Sequence, residues 1–341
     1  MKKLNLKGTG NGERGTENRV FSSPLFVPPC LREIFLLLFL VTVFFISCAT
    51  QPKAGPSSVN GVPDFSILPS GAEIYLWADV GNAKPLLEAL SFEGMSGKDA
   101  SRILDLTDTA IAAFYPENSS RRFFLAGWGK YPNLRAGTSM SFSRDWKRVK
   151  SDTGNRYWYS QKNKLGVALG PKVAFASDGD PFAPGSSADP APQGFEEFRR
   201  SCVLSGWFCN PSAAIDGFIS NLGVPIQIPA EDLFFGAERA PLNETAQGGN
   251  SRNTPWDLVL KIRTPSARDA RSLLALFSFA RIFIPRSTGA EEGTAMEPMQ
   301  VAALFFANAP EQEEEFLIIR MKSLSESRIA LLFNMFSVYS I

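Results

Sequence analysis

The segment Ile74-Tyr75-Leu76-Trp77-Ala78-Asp79-Val80 predicts a β-strand, because it is rich in the apolar and aromatic residues that strands favour. Gly81-Asn82 leads from it into a helix that carries leucines at 86, 87 and 90. Residues 202–208, Cys-Val-Leu-Ser-Gly-Trp-Phe, predict a second such strand. Asn210-Pro211 then opens a helix with apolar residues at 215, 218 and 219, since Asn caps a first turn and Pro suits its first position. Two stretches of the chain therefore begin in the same way.

The two stretches continue with the same order of features. Residues 103–114 have the apolar spacing of a helix, and residues 229–240 hold the same place in the second stretch. Pro265 opens an amphipathic helix with apolar residues at 273, 274, 276, 277 and 280. The remaining segments predict strands at 122–130, 157–161, 164–169 and 173–177 in the first stretch, and at 257–263, 300–306, 315–321 and 328–333 in the second.

This pattern predicts an α+β fold of two diverged pseudo-repeats, each a mainly antiparallel sheet with helices on one face. The units are residues 65–177 and 195–341, and the linker between them is the Pro/Gly/Asp/Ser-rich segment 178–194. Sequence identity between the units is low. Chance agreement between two generic α+β orders is therefore the alternative interpretation.

An uncharged apolar run of thirteen residues, 34–46, lies near the N-terminus. It is too short for a comfortable membrane span, which needs about 20 apolar residues, but it fits the core of a signal peptide. Arg32 precedes the run, and further cations lie upstream at Lys2, Lys3, Lys7, Arg14 and Arg19. Positive charge on that side predicts that the chain after the run is exported.

The run ends in Phe45-Ile46-Ser47-Cys48, which resembles the lipobox of bacterial lipoproteins in its relaxed, spirochaete-type form. The resemblance covers only the signal region. It implies that residues 1–47 are a lipoprotein signal peptide and that Cys48 becomes the lipidated first residue, carrying palmitate-type acyl chains. Each CH₂ group of an acyl chain that is buried in the bilayer contributes about 0.8 kcal/mol to the free energy of membrane binding, so two or more acyl chains attach a protein stably. The alternative is an uncleaved spanning helix over residues 31–50.

Residues 48–64 are predicted to be the lipidated cysteine and a flexible tether, because their Pro/Gly/Ser-rich sequence has no hydrophobic period. The predicted location is therefore the cell membrane or outer membrane, with the folded part facing the periplasm or the exterior. The predicted partner is the membrane, reached through the N-terminal lipid. Candidate further partners are an envelope glycan, an anionic lipid or a protein.

The chain contains no histidine, which removes Ser-His-Asp and Cys-His catalysis and histidine-ligated metals from consideration. Its net charge is +1, which gives no case for a nucleic-acid partner. No motif for a catalytic site, a metal or a cofactor is found. We expect a binding or scaffolding protein, with a carboxylate-based envelope hydrolase or a hydrophobic-ligand carrier as alternatives. Candidate carboxylates for hydrolysis are Asp79, Glu88, Asp105 and Asp216.

Two cysteines, Cys202 and Cys209, lie in the exported part. If both belong to one strand, a separation of seven places their side chains on opposite faces and over about 20 Å apart. A disulfide requires Cα atoms within about 7 Å, so we expect two free, buried thiols. A tight turn at Ser205-Gly206 would reverse this expectation.

Residues 144–164 contain seven cations, two carboxylates and four aromatic rings. Exposed cations among rings can bind anionic headgroups or glycan strands. The candidate anionic-ligand residues are Arg144, Trp146, Lys147, Arg148, Lys150, Arg156, Tyr157 and Tyr159. The competing interpretation is structural, with a helix end joined by a turn to a half-buried strand, Trp158 in the core and solvated cations. Residues 311–315, Glu-Gln-Glu-Glu-Glu, are predicted to form a solvated hairpin loop.

Overall fold

The computed structural model describes residues 64–90, 97–116, 119, 121–183, 188, 190–209, 211–212, 229–240, 255–283 and 298–339. Twelve strands are described, and they form a single sheet. In chain order the strands are β1 (Ile74–Asp79), β2 (Thr107–Phe114), β3 (Phe123–Gly129), β4 (Trp146–Lys150), β5 (Arg156–Ser160), β6 (Leu165–Leu169), β7 (Val173–Ser177), β8 (Leu204–Cys209), β9 (Asp232–Arg239), β10 (Trp256–Arg263), β11 (Glu311–Glu313) and β12 (Phe316–Leu324).

The described helices are α1 (Val80–Ala89), α2 (Gly97–Leu106), α3 (Asn133–Phe142), α4 (Phe195–Ser201), α5 (Ala267–Phe283), α6 (Pro298–Phe305) and α7 (Glu326–Tyr339). A short 3-10 helix, Phe65–Ile67, precedes β1. The molecule is therefore a mixed α+β fold with a large antiparallel sheet, as its sequence predicts. None of these helices combines the length and the hydropathy needed to cross a bilayer.

The strand order across the sheet is β11-β12-β10-β9-β8-β1-β2-β3-β7-β6-β5-β4, and every neighbouring pair is antiparallel. The two predicted units occupy opposite sides of the sheet. They meet where β1 pairs with β8, with Leu76 opposite Gly206 and Tyr75 opposite Trp207. Counted outward from this pair, each side begins with the first three strands of its unit in chain order.

The helical face of the sheet is the side that carries Ala78, Leu258 and Val167. It is covered by α1, α2, α3, α5, α6 and α7, whose apolar residues join two clusters with the strands. Leu86, Leu273 and Leu332 are among the helical residues buried there. Alternation along antiparallel strands directs every second side chain to this face, which explains the clusters.

The opposite face carries an aromatic cluster at its centre. Trp207 stacks on Tyr75 with ring centroids 4.5 Å apart, and the ring of Phe195 from α4 meets Trp207 edge-on, also at 4.5 Å. Phe65 of the 3-10 helix contacts Trp207 at 4.8 Å. Helices were expected on one face only. That expectation is wrong for α4, because its phenylalanines cover this second apolar face.

The segment after β7 crosses the same opposite face. Asp178 Oδ2 accepts a hydrogen bond of 2.8 Å from the backbone N–H of Arg122, and the N–H of Ala188 donates to the carbonyl of Leu68 at 2.7 Å. The segment passes so close to β6 that a Cβ on Gly166 would lie 1.8 Å from the carbonyl oxygen of Gly179. Burial raises the pKa of the Asp178 carboxyl.

Several predicted elements change type in the structure. The helix predicted over 103–114 ends at Leu106, and Thr107–Phe114 is strand β2. Residues 229–240, placed as a helix, contain strand β9. The strands predicted at 300–306 and 328–333 lie in helices α6 and α7. These are short apolar runs whose periodicity fits either state, and packing against the sheet decides between the two.

Other boundaries shift by smaller amounts. The strand predicted from Cys202 begins at Leu204, because Cys202 ends α4 and its N–H bonds the carbonyl of Arg199. The loop predicted over residues 311–315 contains strand β11, and the helix end predicted before Lys150 is strand β4. The helix predicted to follow Pro211 lies outside the described residues.

At the contact between β1 and β8, Gly206 is a position where a larger side chain should destabilise the fold. A Cβ on Gly206 would lie 2.4 Å from the carbonyl oxygen of Tyr75 and 2.6 Å from side-chain atoms of Leu76 and Phe235. We expect Gly206→Ala to lower the free energy of unfolding by about 1–3 kcal/mol, because overpacking forces these neighbours to move. Urea denaturation measures the change. Gly97→Ala is the control, since nothing lies within 4 Å of a Cβ there; equal losses in the two variants would contradict the packing argument.

Candidate binding surface on the β4–β5 hairpin

The basic segment predicted from the sequence forms the hairpin β4–β5 at one edge of the sheet. Its turn, residues 151–155, is closed by backbone hydrogen bonds from the Ser151 N–H to Asn155 (2.8 Å) and from the Gly154 N–H to Ser151 (2.9 Å). Gly154 has a φ of +86°, a conformation that glycine adopts without steric cost. The turn therefore fixes the register of the two basic strands.

The aromatic rings of the hairpin are mostly part of the core. Trp146 is 4% exposed and Trp158 is 6% exposed, and both pack on the helical face with Met140 and Val167. Burial, and to a lesser extent the nearby Asp180 carboxylate, raises the pKa of Tyr157. Tyr159, on the opposite face, is the one described ring of the hairpin that stays partly exposed.

The cations of the hairpin lie in solvent. Arg144, Lys147, Arg148, Lys150 and Arg156 are all exposed. The register places Lys150 directly opposite Arg156, and Lys147 directly opposite Tyr159. Two cations in directly opposed positions repel each other, and no described carboxylate lies within ion-pair distance of either one.

The structure therefore divides the predicted residues into two groups. The tryptophans and Tyr157 stabilise the hairpin from within, as the structural interpretation expects. The cations are exposed at the sheet edge, and Tyr159 lies opposite Lys147. The alternation of a strand, which separates neighbouring residues onto two faces, produces this division.

The predicted carboxylates have structural partners. Asp79 caps α1 by accepting a hydrogen bond of 3.2 Å from the N–H of Asn82. Glu88 and Asp105 both pair with Lys84, the first at 3.7 Å, and the hydrogen bond that Lys84 donates to the Asp105 carboxylate raises the pKa of Lys84. Asp216 lies outside the described residues. Within the described ranges, no group of three acidic or cysteine side chains could hold a metal ion.

Cys202 and Cys209 do not form a disulfide, as the sequence predicts. Cys202 is 5% exposed beneath α4, and its Sγ would lie 2.4 Å from a Cβ on Gly236. Burial raises the pKa of this thiol to about 12. Cys209 was expected to be buried, and that expectation is wrong: it ends β8 and is half-buried.

Sequence reasoning missed the acidic counterpart of the hairpin. Strand β11, with Glu311 and Glu313, forms the other edge of the same sheet. Glu313 pairs with Lys261 at 3.2 Å, and Glu311 lies 3.9 Å from Arg320. The run of glutamates gave the charge, but nothing in the sequence placed it on an edge strand.

Comparisons with known proteins show similarity to an outer membrane protein. No protein-family model matches the chain. The outer membrane protein TP0453 of Treponema pallidum (strain Nichols) is 30% identical over 108 residues. That alignment covers 31% of this chain and 36% of TP0453, so the chain matches about a third of the length of this relative.

Solved structures of TP0453 share the fold. Crystal form I superposes with a TM-score of 0.51 at 20% identity and covers 83% of this chain and 100% of the crystallised chain. Crystal form III gives a TM-score of 0.50 at 17% identity, over 81% of this chain and 100% of that one. Crystal form IV gives 0.50 at 18% identity, over 81% and 98%. At this level of identity the likeness establishes the fold alone.

The opposed cations predict a stability change that depends on salt. We expect Arg156→Glu to raise the free energy of unfolding by about 0.2–1 kcal/mol at low ionic strength, because an attractive cross-strand pair with Lys150 replaces a repulsive one. The gain should shrink in 1 M salt as charges are screened. Urea titrations at both salt concentrations measure it, and Lys162→Glu, in the next turn, is the control for net charge. A loss of stability at low salt would show that Arg156 already has a stabilising partner.

The thiols are expected to differ in reactivity. In the native folded protein at pH 7.5, a maleimide should modify Cys209 and leave Cys202 unmodified, because the thiolate is the nucleophile and burial disfavours it at Cys202. Mass spectrometry of the labelled peptides measures the ratio. Unfolding in urea should equalise the two sites, and native labelling of Cys202 at the rate of Cys209 would contradict its burial.

Proposed function

We propose that this chain is a lipid-anchored cell-envelope protein, attached to a membrane through Cys48, that acts by binding or scaffolding. The observation that carries the proposal is the order of the N-terminal segments. Cations, an uncharged apolar run, Ser47-Cys48 and a Pro/Gly/Ser-rich segment follow one another in the sequence, and the first described helix begins at Phe65. This is the arrangement that export followed by acylation requires.

The start of the fold supports this reading of the tether. Asp64 caps the 3-10 helix by accepting a hydrogen bond of 2.8 Å from the N–H of Ser66, and Phe65 is buried in the aromatic cluster. A tether of residues 49–64 has an r.m.s. reach on the order of 20–25 Å. The anchor would thus hold the globular part close to the membrane and join it at the centre of the opposite face.

The name of the relative TP0453 supports a specific compartment for this chain. TP0453 is an outer membrane protein, which supports the outer membrane as the location of this chain as well. The fold also supports descent from a duplicated α+β unit. The first strands of the two units, β1 and β8, form the central pair, and the next two strands of each unit follow outward in the same order.

The basic hairpin is the binding surface that the described geometry favours. Lys147, Lys150 and Arg156 are exposed and lack an ion-pair partner among the described residues. Cations left without partners on a fixed hairpin suit an anionic ligand. A carboxylate hydrolase has less support, because Glu88 and Asp105 are both engaged by Lys84 on the surface between α1 and α2.

Acylation of Cys48 can be tested directly in cells. We expect cells fed an alkyne palmitate to label the chain, and Cys48→Ser to abolish the label and leave the signal peptide uncleaved. The physical reason is that a thioether to diacylglycerol needs the thiol at that position. In-gel fluorescence after click coupling and intact-mass analysis of the membrane fraction measure the two effects.

Cys30→Ser is the matched control, because it removes a cysteine that cleavage would discard. It should leave labelling and the mature mass unchanged. Continued labelling of the Cys48→Ser chain would contradict the proposed site. Full-length, unmodified chain in the membrane fraction of wild-type cells would instead indicate the uncleaved spanning helix.

A further inference from the structure

The two edges of the sheet carry opposite charge. On the outer strand β4, Lys147, Arg148 and Lys150 are exposed. On the outer strand β11 and the turn after it, Glu311, Glu313 and Glu314 are exposed. No described strand pairs with the outer side of either one. An edge strand presents backbone N–H and C=O groups that can pair with another chain.

The direction of the strands allows one edge to continue into the other. All neighbouring strands are antiparallel and the sheet has twelve of them, so β11 and β4 run in opposite directions. A second copy placed beside the first, with its helical face on the same side, therefore brings its β11 antiparallel to β4. The alternating pattern of the sheet continues across the contact.

The side chains agree in face as well as in sign. Lys147 lies on the opposite face of the sheet, since it pairs with Tyr159 and alternates with Trp146. Glu311 and Glu313 lie on that same face, because they pair with Ile318 and Phe316 of the aromatic cluster's side. Continuing the sheet thus places Lys147 beside the glutamates, and opposite charges on neighbouring strands attract.

Glu311 and Glu313 can each accept hydrogen bonds from a second cation in addition to their internal partners. Glu313 bonds Lys261 at 3.2 Å, but its side chain remains 59% exposed, and Glu311, 3.9 Å from Arg320, is exposed to the same extent. A carboxylate has about four acceptor sites on its two oxygens. The internal partners therefore do not occupy the outer side of the acidic edge.

We propose that the chain associates head to tail with a second copy of itself, β4 of one molecule pairing with β11 of the next. The proposal rests on the proposed function, because the contact is small. Three to five residues bury far less than the roughly 1,200 Å² of a stable interface. Attachment to a membrane raises the effective concentration, which allows such a weak contact to form. Because the contact is heterologous, it can repeat into rows.

The test uses the mature chain from residue 49 with an N-terminal oligohistidine tag, held on neutral phosphatidylcholine vesicles by a nickel-chelating lipid. This tether replaces acylation, so failure of the Cys48 proposal leaves the test unaffected. A carbodiimide, which joins an amine directly to a carboxylate, is applied to an equal mixture of ¹⁵N-labelled and unlabelled protein. We expect mixed-isotope cross-links between Lys147 and Glu311, Glu313 or Glu314 on vesicles, and few at the same total concentration in solution.

Charge reversal then tests the specificity of the pairing. Lys147→Glu with Lys150→Glu should reduce the cross-linked dimer yield on vesicles by about tenfold, because repulsion replaces the attraction between Lys147 and the glutamates and Lys150→Glu makes the edge more negative. Glu311→Lys with Glu314→Lys should have the same effect, since it makes both edges positive. Dimer is scored by gel mobility after treatment with a bifunctional amine-reactive reagent that joins lysines elsewhere on the two molecules, because the β4 reversal removes the amines that a carbodiimide needs at the contact. Mixing the two variants should restore the yield. Lys162→Glu with Lys172→Glu, an equal charge change away from β4, is the control.

Each outcome decides the proposal. Cross-links confined to single molecules, or a mixture of reversed variants that stays monomeric while both retain their thermal unfolding midpoints, would overturn it. So would a β4 reversal that leaves dimerisation intact but releases untagged protein from phosphatidylglycerol vesicles; that result would identify an anionic lipid surface as the hairpin's partner.

Discussion

The antiparallel pairing of β1 with β8 is the contact on which the rest of the structure depends. It joins two groups of strands that are far apart in sequence, with Leu76 opposite Gly206 and Tyr75 opposite Trp207. The glycine permits the close approach on the helical face, and the stacked rings, 4.5 Å apart, stabilise the same pair from the other side. The two groups of strands therefore form one sheet, and this central contact determines that β11 and β4 are its two outer strands.

The aromatic cluster explains why the chain carries helices on both faces of the sheet. Phe195 of α4 and Phe65 of the 3-10 helix both contact Trp207, so the start of the fold and the start of the second unit meet over the central strands. Aromatic side chains bury large areas and interact edge-on at these distances. The described residues between β7 and α4, such as Gly179 and Ala188, therefore lie on this face.

The sequence predicted the class of fold and most strands, but it failed at particular positions for a common reason. The wrongly assigned residues are 107–114, 232–239, 300–305 and 328–333, all short apolar stretches. Residues 103–114 even have helical spacing, but neighbours far away in the chain determine the state of each stretch. Thr107–Phe114 becomes a strand because β1 and β3 flank it, whereas Pro298–Phe305 becomes a helix that packs on β12. In the hairpin, strand β5 and the burial of Trp158 were predicted, but the expected helix end before it is strand β4, which pairs with β5.

The sequence by itself determined the chemistry that this protein lacks and the way its N-terminus is built. The absence of histidine, the apolar run before Cys48 and the Pro/Gly/Ser-rich composition of residues 49–64 are properties of the sequence that folding does not alter. Only the tertiary structure decided which charges are neutralised and where they lie. Glu88 and Asp105 meet at Lys84, while the cations of β4 and the glutamates of β11 reach opposite edges. The physical reason is that the strand order of the sheet determines which charged side chains lie near one another. That order depends on pairings between distant segments, which no local sequence pattern encodes.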